Sequence, residues 1–180
     1  MTRWRGIGYG LVMLAFVAAG TGVLAKEALR IVPIVNGSDV LVSFELADAY
    51  TTDVRDAISS GLLTTFTYEV DLRMVAPLWM DRSVVTVIVS TSDQYDNLTR
   101  RHILTRTIDG RVEATQVTED EAVVRQWLTT LNRLPVCRTS RLDSGRDYYL
   151  RIGARSRPHG ESLLGWVNAI TGQAKFTFIP

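Results

Sequence analysis

Residues 62–75 read LLTTFTYEVDLRMV, and their alternation decides the fold. Leu62, Thr64, Phe66, Tyr68, Val70, Leu72 and Met74 are mostly apolar, while Thr65, Thr67, Glu69, Asp71 and Arg73 between them are polar. Side chains on a strand point to opposite sides with period two, so the pattern predicts a strand with one face in a core and the other in water. A helix would scatter the same residues around its circumference. The expected architecture is α+β: a long twisted antiparallel sheet, built as a meander, with two to three helices packed on its apolar face. A β-sandwich with peripheral helices is the alternative.

Upstream of this strand, Val40, Val42, Phe44 and Leu46 alternate in a first full strand, preceded by an Asn36-Gly37 turn signal. Thr51 or Thr52 caps a short helix over residues 53–60, with Gly61 as its stop. Downstream, Pro77 breaks the strand, and residues 82–93 resume as one whose two faces are both apolar or hydroxylated, which predicts burial on both sides. Residues 95–108 continue extended, and Asp109-Gly110 signals a two-residue hairpin into residues 111–117. Thr118 and Glu121 form a capping-box pattern opening a helix over 118–134, with Val124, Trp127, Leu128 and Leu131 on one stripe. Strands follow at 134–138 and 147–154, then a loop at 155–161, a short helix around Leu163 to Ile170, and a last strand at 175–179.

The chain has 180 residues with 20 Lys+Arg against 19 Asp+Glu, which fits one domain and supplies no basic excess for nucleic acid. Arg3 and Arg5 precede an uncharged run over residues 6–25, and Val23 and Ala25 stand at the −3 and −1 positions of a cleavage site. This is the layout of a secretory signal peptide, and an uncleaved membrane anchor over 6–25 is the competing reading. Residues 1–25 are therefore expected to be a signal or an anchor, and 26–180 a single exported domain of the periplasm. Cys137 is the only cysteine, so no intramolecular disulfide forms, and its apolar neighbours predict burial.

Catalytic and metal chemistry have little to draw on. His102 and His159 lie far apart, and no HExxH, CxxC or Asp-x-Asp spacing supports a metal site. Neither Ser60-Gly61 nor Ser144-Gly145 has the strand-to-helix setting of a serine nucleophile. Glu69 and Asp71 share the polar face of the long strand, where solvent and Arg73 account for them. No catalytic residue, cofactor or metal ligand is expected, and the chain does not read as an enzyme. Two features point to binding instead. Leu78-Trp79-Met80 is an apolar connection that either plugs the sheet end or projects as a contact tip. Arg138, Arg141, Arg146, Arg151, Arg155 and Arg157 cluster late in the chain, and Arg forks recognise carboxylate and phosphate. Leu78, Trp79, Met80, Arg151, Arg155 and Arg157 are the expected interaction residues.

The strand–helix start ending in Gly61, "RMVAPLWMDR" over 73–82, "DYYLRIGARSRP" over 147–158 and the closing "AKFTFIP" over 174–180 together resemble the bacterial proteins of domain of unknown function 4390. That family brings no established activity, cofactor or catalytic residue. The resemblance implies a bacterial source, an envelope location and one compact domain. The expected function is a non-catalytic binding or adaptor module whose partner is an envelope protein or lipid. A carrier of a hydrophobic ligand and, least favoured, a periplasmic enzyme are the alternatives.

Overall fold

The computed structural model describes residues 28–76, 80–158 and 170–179. They form two antiparallel sheets and two helices. β1 (Leu29–Asn36), β2 (Asp39–Leu46), α1 (Thr52–Ser59), β3 (Thr64–Met74), β4 (Arg82–Asp96), β5 (Arg101–Ile108), β6 (Arg111–Thr118), α2 (Glu121–Thr129), β7 (Thr130–Arg138), β8 (Asp147–Pro158) and β9 (Ile170–Thr177) follow in order. The large sheet has the order β6-β5-β4-β3-β8-β9, the small one β1-β2-β7. The expected α+β class stands, with β3 to β6 as a four-stranded meander and β3 at the centre.

β3 keeps the register that its sequence dictates. Thr64, Phe66, Tyr68, Val70 and Leu72 are buried, joined by Val87 and Val89 of β4, Leu104 of β5, and Leu150, Ile152 and Ala154 of β8. This inner face is covered less by helices than expected. The small sheet lays Val40, Val42, Phe44 and Leu46 of β2 and Leu131, Leu134 and Val136 of β7 into the same core, so β2 does not extend the sheet of β3 but packs over it. Phe44 meets Tyr68 with ring centroids 4.9 Å apart. Both strands carry a full apolar face, and facing each other satisfies both.

α2 completes the cover with Val124 and Leu128. It begins at Glu121, with Asp120 rather than Thr118 as its cap: the Asp120 carboxylate accepts from the Ala122 amide at 2.8 Å. It also ends at Thr129, five residues before the expected stop, because residues 130–138 pair with β2 as β7. The Leu128 carbonyl accepts from both the Tyr68 hydroxyl at 2.5 Å and the Thr91 hydroxyl at 3.1 Å, pinning the helix end to the sheet. α1 matches expectation, with Thr51 accepting from the Val54 amide and Gly61 at φ +82° closing it.

Three further expectations shift. β4 is internal but buried on one face only, with Ile88 on the exposed side. Residues 155–158, expected as a loop, continue β8, because they pair with Thr64 to Thr67 of β3. The last strand starts at Ile170 instead of residue 175, since β8 offers a partner up to Ala154. The Asp109-Gly110 hairpin forms as read, with φ of +47° and +79°. The signal or anchor segment, His159 and the short helix expected near Leu163 lie outside the described residues. Among the described residues no helix is long and apolar enough to cross a membrane.

Candidate functional site

The six-stranded sheet has an outer face that no other described element covers, and most of the expected interaction residues belong to it or its margin. Arg151 and Arg155 lie exposed on the outer side of β8, opposite Asp71 and Thr67. Arg157 is the next residue in that row, paired through its backbone with Thr65. Met80, at the β3–β4 connection, is 93% exposed. Leu78 and Trp79 lie outside the described residues.

Asp71 organises the arginine side of this face. The alternation of β3 assigned it to solvent, yet it is only 6% exposed. Its carboxylate accepts from Ser83 at 2.6 Å and Thr86 at 3.2 Å, and from Arg151 at 3.3 Å, with Arg73 at 3.6 Å. Two short hydroxyl side chains of β4, Arg151 of β8 and Arg73 of β3 itself surround it, and a carboxylate so engaged is charge-balanced. One row further on, Asp81 shapes the β3–β4 connection. It accepts from the Tyr149 hydroxyl at 2.9 Å and the Ala76 amide at 3.2 Å, which hold its carboxyl below the usual range. Arg151 is therefore committed to an internal partner, which removes it from the free cations of the expected cluster.

The opposite side of the outer face, toward β6, is apolar and hydroxylated. Ile103 of β5 is 42% exposed beside Val117 of β6 at 56%, and Val112 is 66% exposed beside Thr107. Thr105 and Thr107 of β5 continue the rows into Ser92 and Ser90 of β4.

The inner face holds one cluster that sequence spacing did not reveal. His102 Nδ1 lies 2.8 Å from Asp93 Oδ2, with the side chains 12% and 0% exposed. The ring meets Tyr95 at a tilt of 40°, with centroids 4.6 Å apart. Burial pushes the Asp93 carboxyl above its ordinary value, and the hydrogen bond and charge of His102 oppose that. The second carboxylate oxygen, Oδ1, is buried without a hydrogen-bond partner. Asp93 also bears on Tyr50, whose hydroxyl is pushed up to about 12 by burial first, then by Glu121 and Asp93. A signal was present in the sequence: Asp93 continues the inward register of Val87, Val89 and Thr91, where a carboxylate needs a partner. An Asp–His pair orients an imidazole for proton transfer, and in this one the carboxylate is fully buried while the imidazole keeps a small exposure.

Among the described residues no group of three or more His, Cys, Asp or Glu could hold a metal ion. Cys137 is half-buried, and burial pushes its thiol up. A polar cleft of about 160 Å³ lies where Glu45, Asp48, Tyr50, Arg125 and Thr129 meet.

A family model described as domain of unknown function (DUF4390) matches residues 27–159. The chain belongs to the DUF4390 family. That match spans β1 through β8 and takes in Asp71, Asp93, His102 and the whole of β6, so the features described above belong to the family's domain. No curated protein and no solved structure matches the chain.

Proposed function

We propose that this DUF4390 protein is an exported, non-catalytic binding module of the bacterial cell envelope, acting in the periplasm by docking another envelope protein. The observation that carries the reading is the contrast across the large sheet. One face is spent on a filled core, while the other leaves Ile88, Ile103, Val112 and Val117 open to solvent beside hydroxyl rows. Apolar patches of this kind mark interaction surfaces on soluble domains.

The carrier reading is less well supported. The space between the sheets is occupied by Phe44, Phe66, Tyr68 and their neighbours. The polar cleft holds only about 160 Å³, and the larger hollow of about 590 Å³ at Ile108, Asp109, Arg111, Val112 and Glu113 lies open at the tip of the β5–β6 hairpin, where a hydrophobic ligand would not be enclosed. The Asp93–His102 pair is the feature that an enzyme reading would use, and His102→Asn tests it directly. A binding module keeps its partner with that substitution.

A native mass spectrum of the full-length protein released in mild detergent tests the proposal. The expected result is stoichiometric co-release of one defined protein that is lost with Val117→Asp. A reproducible excess of lipid-like mass, or a bare monomer from every preparation, would overturn it. The same spectrum reads out whether residues 1–25 are removed.

A further inference from the structure

The four sheet edges differ in how they are protected. β1 carries Pro33, which has no N–H to offer a partner. β7 carries Pro135 and two register shifts against β2, with Arg133 at φ +54°. β9 carries Lys175 and closes on β1 at Gly172, where a Cβ would stand 3.2 Å from Leu29 and Ile31. Such devices keep edge strands from recruiting other chains. β6 is different. A register shift leaves Glu113 unpaired, but beyond it Ala114 to Thr118 pair regularly with Arg106 to His102 and contain no proline, glycine or charge. No described strand takes their other side.

We propose that the β6 edge accepts an extended segment of a partner polypeptide as a further strand of the large sheet. This rests on the binding reading above and names how the partner is held. Unpaired backbone groups along residues 114–118 supply the ladder, and strand addition draws its affinity from such main-chain bonds. Val117 and Ile103, neighbours on the outer face, supply an apolar shelf. The segment that fits has apolar residues at alternate positions, those on the outer side lying beside Val117. A second copy fits poorly. The two-fold antiparallel pairing that uses all five residues centres on Gln116 and sets Glu113 opposite Glu119 of the other copy. The shared ribbon would be roughly 17 Å long and 10 Å thick, far short of the ~800 Å² per partner that a stable interface buries.

The probe is a random-peptide phage library panned against the full-length protein in mild detergent. Selected peptides are expected to alternate apolar and polar residues, to protect the amides of residues 114–118 from hydrogen exchange, and to bind Val117→Lys at least tenfold more weakly. Thr115→Pro and Gln116→Pro sharpen the test. Successive N–H groups on an edge strand point alternately outward and inward, so one of the two variants keeps its melting temperature and loses the peptides. Failure to select alternating peptides, or full binding by Val117→Lys and by the stable proline variant, overturns the strand-accepting edge. If the envelope partner is lost with Val117→Lys but still co-released with the stable proline variant, the edge is wrong and the binding reading stands; loss of any partner from the wild-type protein removes both.

Discussion

The two faces of β3 share eleven residues of backbone and almost nothing else. Its inner side chains from Phe66 to Leu72 are buried in the core shared with the small sheet, whereas its outer ones are polar and, apart from Asp71, at least partly exposed. The difference teaches that inward positions here are set by volume and outward ones by pairing. Asp71 marks where the rule bends, because neighbouring strands supplied enough donors to bury a carboxylate on the wet side.

Substitutions on the two faces should separate by size of effect. Phe66→Asp places an unpaired charge in the filled core, and no cooperative thermal transition is expected by circular dichroism. A folded, cooperative variant would break the comparison. Asp71→Ala leaves Ser83, Thr86 and Arg151 without their acceptor, for an expected loss of about 1–3 kcal/mol in urea unfolding. An effect below about 0.5 kcal/mol would return Asp71 to the ordinary solvated face. Tyr68→Phe removes one of the two hydroxyls on the Leu128 carbonyl while keeping the ring against Phe44, for an expected loss of about 1 kcal/mol. At the small end, Glu69→Lys should move stability by no more than about 0.5 kcal/mol.

Alkaline pH sharpens the same contrast. Tyr50 has its hydroxyl raised to about 12, so the unfolded chain ionises it first, near 10, and the unfolded state then holds fewer protons. Its contribution is fully present below about pH 10 and is lost as pH rises toward 12. Tyr50→Phe should flatten this part of the stability profile, and an unchanged slope in pH-dependent melting would show that the half-buried Tyr50 is not the group responsible.

Much of this was legible in one dimension. The period of β3, the Asp109-Gly110 hairpin and the Gly61 stop are local signals, and each residue states its own requirement. What the sequence hid was non-local. Nothing in the alternation of β2 says whether it pairs beside β3 or faces it, since either solution buries Val42 and Phe44. The helical stripe through Leu131 continued past the point where pairing with β2 took over the chain. At the candidate surface, Arg151 and Arg155 read as interaction residues, Arg155 in a loop, and only the register of β8 on β3 reveals that Arg155 lies in the strand and that Asp71 occupies Arg151. The β6 edge gave no motif at all. It becomes visible only when the other three edges are known to be guarded.

The direct passage from α2 into β7 also sets an order of events in time. β1 and β2 are made early, but the third strand of their sheet arrives about ninety residues later, after the whole meander and α2. A chain emerging from its N-terminal end holds a hairpin whose apolar face can meet β3, but whose β2 edge has no partner until residue 130 is available. Closing such a separation is slow and unrewarded until it is complete, and β3 waits over a similar span for β8, so neither sheet locks before β7 and β8 are both made. A chain truncated anywhere before β7 should behave as unfinished throughout, and not as a sheet lacking one strand.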